Sequence, residues 1–403
     1  MYQSGNQLQQ LSFIAPLLTL ILVVTGCTFN AKKLEGEDYR KPAAPWMTEP
    51  VTTTHSPITE PAYRVILIGD AGAPTDDDPT LDTLGTWGNT YKDKTSIVFL
   101  GDNLYWQGLT EDDLERGKKV LLKQLEATQA SKIYVPGNHD WSFSAETGAA
   151  TLKRQEDFIE AYPESPTDFL PSMGCPGPEV KVLSQPATVS DKRVVLIALD
   201  THWWLMMNTQ WRPGCEAVTT DDITERLKQQ LAKHKDDFVI VAAHHPLLSS
   251  GLHGGYKRPW LLDFLSWAFE FQQDIGYPLY DGMVNQLSAA MGTNPPEIFA
   301  AGHDHSLQVM QGGDVAKYML ISGAGSKKKV TWLTKIPETL FAHGHEGFMV
   351  LDFYRTKNAD DAEVILRIIE PSEKIDEEPG KEFTEGRVKE LGEKDVVGTL
   401  RIE

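Results

Sequence analysis

Five short segments in one order carry the side chains able to do chemistry: Gly69-Asp70-Ala71-Gly72, Gly101-Asp102-Asn103-Leu104-Tyr105, Gly137-Asn138-His139-Asp140, Val241-Ala242-Ala243-His244 and Gly302-His303-Asp304-His305. Together they offer carboxylates, a carboxamide, imidazoles and a phenol, each just beyond an apolar run. Carboxylate and carboxamide oxygens suit hard cations, neutral imidazoles suit Zn, Fe or Mn, and a phenolate suits a strongly acidic centre such as Fe(III). One Gly-Asp pair is ordinary turn chemistry, because both residues favour turns for local reasons. Five such segments in series are enough to hold two metal ions side by side.

Donors so far apart in the chain need supports that bring them together. The runs at Tyr63 to Ile68, Ser96 to Leu100, Lys132 to Val135, Arg193 to Leu199, Phe238 to Ala242 and Glu297 to Ala300 read as buried strands. Asp70 to Asp102 spans 32 residues and Asp102 to Asn138 spans 36, each about one βαβ repeat. A parallel sheet would carry Asp70, Asp102, Asn138, His244 and His303 to the carboxyl ends of its strands, where open α/β sheets bind ligands. Glycines precede most of these residues because a chain turning sharply off a strand needs conformations that only glycine enters cheaply. Helices are expected over Asp112 to Gln129 and Thr220 to His234, the second with a Thr-Asp start and basic residues at its end. Later strands at Tyr318 to Ser322, Gly347 to Tyr354 and Ala362 to Ile369 follow one another without long helices, which predicts a more antiparallel second half. The fold class is therefore α/β, with two stacked mixed β-sheets flanked by helices.

The set of GDxG, GDxxY, GNH followed by an acidic residue, VxxH and GHxH, complete and in order, resembles the purple acid phosphatases, a branch of the calcineurin-like metallophosphoesterases. The resemblance implies a four-layer metallophosphoesterase sandwich over residues 61–370. It also implies that Asp70, Asp102, Tyr105 and His305 hold Fe(III). Asp102 would bridge to a second divalent metal, Fe, Zn or Mn, held with Asn138, His244 and His303. One carboxylate shared by two cations offsets their repulsion at roughly 3.5–4 Å. His139 and His253 resemble the family's substrate-side histidines, and the carboxylate of Asp140 is placed to orient the His139 ring. The implied reaction is hydrolysis of phosphomonoesters by in-line attack of a metal-bound hydroxide. His139 or His253 would protonate the leaving oxygen. The alternatives are a phosphodiesterase or pyrophosphatase with the same site, a redox centre, or a non-catalytic surface lipoprotein.

The remaining sequence concerns address and solubility. Phe13 to Gly26 is an uncharged apolar stretch, short for a membrane span but suited to an export signal. It ends in Val24-Thr25-Gly26-Cys27, which resembles the lipobox of bacterial lipoproteins, although residues 1–12 hold no Lys or Arg. This implies a signal peptide over 1–26, acylation of Cys27 and a lipid anchor in the bacterial cell envelope, at the outer membrane or the periplasmic face. Residues 27–60 read as a flexible tether and 371–403 as a charged tail. Cys175 and Cys215 remain as an even pair, free to form a disulfide outside the cytoplasm or to stay as two thiols. Across 403 residues, 38 Lys and Arg against 57 Asp and Glu give a net charge of −19, which argues against a nucleic-acid scaffold. His202, His245, His343 and His345 read as packing or surface imidazoles, and Lys327 to Lys329 as a solvated loop. Asp200 ends a strand but fits none of the motifs.

Overall fold

Strand β2 (Tyr63–Ile68) is buried along its whole length because its two faces meet different cores. Val65 and Leu67 pack between two sheets, whereas Ile66 and Ile68 pack under helices. Strands covered on both faces need continuous apolar runs rather than alternation, and that is why these segments were legible as YRVILI and SIVFL. The structure, a computed structural model, describes residues 46–47, 60–142, 145–185, 189, 191–206, 214–216, 219–254, 273–326, 333–355, 362–371 and 395–402. All lie in the compact unit Tyr39–Glu403. Cys27, the export segment and Lys327 to Lys329 fall outside the described residues.

One sheet has seven strands. β2 is followed by β3 (Thr95–Leu100), β4 (Ser131–Val135) and β5 (Thr167–Phe169), all parallel. On the other side of β2 lie β13 (Phe348–Arg355), β14 (Ala362–Ile369) and β15 (Val396–Ile402), all antiparallel. The second sheet has the order β1-β12-β10-β11-β9-β8-β7-β6. Its parallel centre is β7 (Val194–Ala198), β8 (Phe238–Ala242), β9 (Ile298–Ala301) and β11 (Tyr318–Ser322). The antiparallel members are β1 (Trp46–Met47), β6 (Glu179–Ser184), β10 (Leu307–Gln311) and β12 (Thr339–His343). The expected α/β pair of mixed sheets with flanking helices is the observed architecture.

The helices sit in the crossovers between parallel strands. α1 (Pro79–Thr90) starts where Asp78 accepts the Thr80 and Leu81 N–H groups, each at 3.1 Å, with Pro79 at the first helical position. α2 (Leu114–Glu126) is shorter than the predicted Asp112 to Gln129, because Glu111–Asp113 form a separate tight turn before it. α3 (Ala145–Glu160) and the short α4 (His202–Leu205) precede α5 (Thr220–Lys233). In α5, Thr219 and Asp222 exchange the reciprocal bonds of a capping box. α6 (Pro278–Met291) leads into β9.

Two boundaries move. The charged tail expected from 371 returns to the fold, since Val396–Ile402 pairs with β14 and buries Leu400 and Ile402 in the core between the sheets. Charge density hid a strand whose apolar residues alternate. Within the expected tether, Trp46 and Met47 pair with Ala342 and Phe341 at the edge of the other sheet. Cys175 and Cys215 are joined as a disulfide, with Cα atoms 5.5 Å apart.

Candidate metal centre

The loops after β2, β3, β4, β8 and β9 converge where the two sheets share an edge. The sequence reading foresaw one edge; the structure divides the donors between sheets. Asp70, Asp102 and Asn138 come from the seven-stranded sheet, and His244, His303 and His305 from the eight-stranded one. Backbone bonds close this seam, with Gly69 N–H donating to the Ser322 carbonyl at 2.6 Å and Gly325 N–H to the Gly69 carbonyl at 2.9 Å. Asp70, Asp102 and His303 all adopt left-handed backbone, at φ of 59°, 51° and 69°. Such conformations cost about 1 kcal/mol or more each outside glycine, and they gather at functional sites. Gly101, at φ 90°, needs to be glycine for a second reason: a Cβ there would lie 2.5 Å from Nδ1 of His244.

Two donor groups meet at this seam. In the first, the Tyr105 hydroxyl lies 2.8 Å from Oδ1 of Asp70 and 3.0 Å from Nε2 of His305, which is itself 3.2 Å from the same Asp70 oxygen. In the second, Nε2 of His244 lies 3.0 Å from Oδ1 of Asn138, 3.3 Å from Nδ1 of His303 and 3.4 Å from Oδ1 of Asp102. Donor atoms of Asp70, Asp102 and His244 all fall within 4.8 Å of one another, which joins the groups. Asp70, Asp102, Tyr105, Asn138, His244 and His303 are buried.

The far sides of the rings decide what faces the seam. Nδ1 of His244 meets the Leu100 carbonyl at 2.9 Å, and Nε2 of His303 meets the Gln273 carbonyl at 2.7 Å. A carbonyl can only accept, so both of these nitrogens donate, and in the neutral rings the opposing nitrogens present lone pairs. Those lone pairs point at each other, at a carboxamide oxygen and at a carboxylate. With both rings neutral, four acceptor atoms face one another there, an arrangement that fits a cation. Burial, aided by the charges of His253, His245 and His244, holds His303 well below the usual imidazole range, in the neutral form that ligates. Burial and then the charges of Asp70 and Asp102 hold the Tyr105 hydroxyl well above its ordinary range. It therefore ionises only against a strongly acidic cation, which fits the expected Fe(III).

Residues 63–307 match the family model described as calcineurin-like phosphoesterase. The chain belongs to that family. Purple acid phosphatase 17 of Arabidopsis thaliana is 26% identical to this phosphoesterase over 276 residues, covering 67% of this chain and 70% of that protein. Tartrate-resistant acid phosphatase type 5 of Homo sapiens is 32% identical over 235 residues, covering 57% of this chain and 61% of that protein. Among solved structures, GAP50, the anchor in the inner membrane complex of Plasmodium, is similar in fold, with a TM-score of 0.51 at 20% identity over 77% of this chain and 84% of that one. The phosphoesterase is a metal-dependent phosphoric ester hydrolase.

His139 and His253, expected beside the substrate, flank the seam. His139 packs edge-on to Tyr105 with ring centres 4.4 Å apart, and its Nε2 is 3.8 Å from Oδ2 of Asp102. Its Nδ1 meets the Trp106 carbonyl at 2.7 Å. Asp140 does not orient this ring, contrary to the sequence reading. Its carboxylate turns inward to accept the N–H groups of Gly137, Asn103 and Leu104, and so ties the Asp102 loop to the Asn138 loop. Asp140 is thus a loop clamp, chosen by three backbone donors that outcompete a neighbouring imidazole. His253 stands beside His303 with ring centres 4.2 Å apart, and its Nδ1 is 2.6 Å from Oδ1 of Asp274. Asp274 was missed, since it lies in no motif and 21 residues from its partner. His245 is close, but Thr201 and Gln273 occupy its nitrogens at 2.9 and 2.8 Å. Asp200 accepts from the Trp141 indole at 2.7 Å.

Proposed function

We propose that this phosphoesterase is an acid phosphatase acting on phosphomonoesters through a binuclear centre. Asp70, Tyr105, His305 and Asp102 would hold Fe(III), and Asn138, His244, His303 and the shared Asp102 would hold a second divalent cation, Fe, Zn or Mn. The meeting of Asn138 Oδ1, Asp102 Oδ1 and Nδ1 of His303 around Nε2 of His244 carries this reading. Bound there, the cations would neutralise phosphate oxygens and supply an acidified water as nucleophile.

The chain's own groups do the rest. With Nδ1 of His253 committed to Asp274, the doubly protonated ring would hand its Nε2 proton to the departing alkoxide and be left neutral. His139, fixed by the Trp106 carbonyl, keeps Nε2 towards Asp102 and steadies the phosphate at that end. Proton donation matters only for poor leaving groups. His253→Ala is therefore expected to lose about 100-fold in kcat on alkyl phosphates and little on p-nitrophenyl phosphate.

The deciding assay compares p-nitrophenyl phosphate with its bis ester on metal-replete protein. Faster release from the monoester is expected; faster release from the diester would make the enzyme a phosphodiesterase, and neither would make it a binding protein. The apolar segment Phe13 to Gly26 and the sequence ending in Cys27 support an exported enzyme, lipid-anchored in the envelope and meeting phosphate esters there. Labelled palmitate should enter the wild type and not Cys27→Ser.

A further inference from the structure

We propose that His343, His345 and Glu370 form a separate site for a divalent cation of the Zn(II) type. His343 is the last residue of β12, in the eight-stranded sheet, and Glu370 directly follows β14, in the seven-stranded sheet. Nε2 of His343 lies 2.7 Å from Oε2 of Glu370, and Nδ1 of His345 lies 2.7 Å from Oε1. All three donors fall within 4.8 Å of one another. The supports are firm, because Leu307 pairs with His343 in the sheet and the Glu370 N–H donates to the Asp395 carbonyl at 2.9 Å.

The two imidazoles stack face to face, with centres 4.4 Å apart and planes 5° from parallel, and both turn a nitrogen to the same carboxylate. One divalent cation replaces both shared protons and satisfies all three donors at once. Two imidazoles and a carboxylate are a known tetrahedral zinc donor set that leaves the fourth position to water. The opening is present, since the His345 side chain is 39% exposed and that of Glu370 is 28% exposed, whereas His343 is 2% exposed and forms the floor. Zn–N and Zn–O bonds of about 2.0–2.1 Å at a tetrahedral angle set the donors about 3.3 Å apart, so each imidazole and the carboxylate must part by about 0.6 Å and the stacked rings must tilt to aim both lone pairs at one ion.

The affinity has a ceiling. A ligating histidine ordinarily hands its other ring N–H to an acceptor, and losing that support weakens metal binding about 10- to 100-fold. Nδ1 of His343 is buried with no hydrogen-bond partner among the described residues. The site is therefore expected to fill after the catalytic centre. Because its ligands come from both sheets, the ion would fasten the sheets to each other and raise the melting temperature.

The test is zinc chloride titrated against the full chain, with bound zinc counted after dialysis and melting followed in parallel. Wild type should retain one more zinc per chain than His345→Ala or Glu370→Gln, and zinc should raise its melting temperature by a few degrees more than theirs. The count is a difference, so it holds whatever metal fills the catalytic centre. Equal zinc in all three proteins overturns the proposal, as does a lower melting temperature in Glu370→Gln with an unchanged response to zinc, the signature of an ion pair alone. Should either variant fail to fold, His345→Gln at the exposed position replaces it under the same criteria.

Discussion

Oδ2 of Asp70 accepts the backbone N–H of His303 at 2.8 Å, joining two left-handed residues that are 233 positions apart and belong to different sheets. One carboxylate thus serves two purposes, since Oδ1 faces Tyr105 and His305 while Oδ2 braces the backbone of the loop carrying His303 and His305. The two uses are separable by mutation. Asp70→Asn keeps an acceptor for His303 but loses the charge, and should lower kcat/KM by more than about 100-fold with the melting temperature nearly kept. Asp70→Ala also strands a buried N–H and should cost about 1–3 kcal/mol in addition. Denaturant unfolding of both variants beside the activity assay checks the split.

Tyr105→Phe should preserve the fold, because the ring remains packed while the bonds of the hydroxyl, those to Asp70 and His305 among them, disappear. If Fe(III) sits there, the phenolate gives the protein a visible charge-transfer band, and the substitution removes it. Elemental analysis with an absorption spectrum of each protein is sufficient. A band that survives in Tyr105→Phe would take Tyr105 out of the metal site.

Gly101→Ala should damage the divalent half of the centre through the backbone. A methyl group there meets Nδ1 of His244 at 2.5 Å in a conformation unsuited to alanine. Relief requires moving the imidazole off the Leu100 carbonyl. Expected are a stability loss of about 2 kcal/mol or more and metal affinity about 10- to 100-fold weaker. Calorimetric metal titration and thermal melts measure both.

His202 supplies a pH test on a buried group that is not itself a proposed ligand. Both its ring nitrogens are buried and without a partner among the described residues, and burial, with the nearby His244, pushes its pKa down to about 3. The unfolded chain takes up this proton near pH 6.5, whereas the folded chain resists it. Stability is thus undiminished above pH 6.5 and falls by about 1.4 kcal/mol per unit between there and pH 3. His202→Leu should flatten that acid limb by one proton. Urea unfolding at pH 7, 5 and 4 reads the slope, and parallel slopes for both proteins would refute the assignment.

What was legible from sequence alone followed local rules. Apolar runs such as Tyr63 to Ile68 and Phe238 to Ala242 declared themselves as strands because both faces are covered, and the Thr-Asp start at Thr220 declared α5, whose cap is Thr219. Donor types after those strands, in their fixed order, pointed to a metal phosphoesterase. Pairings between side chains from separate loops obeyed no such rule. Asp140 met three backbone N–H groups instead of its neighbour His139, and His253 took Asp274 as partner. His343 found Glu370 at the end of another sheet, and Val396–Ile402 became a strand inside a charged segment. Strand identity comes from residues a few positions apart, so the chain itself determines it. Which loops face each other depends on sheet order and on how two sheets stack, and only the folded structure decided that.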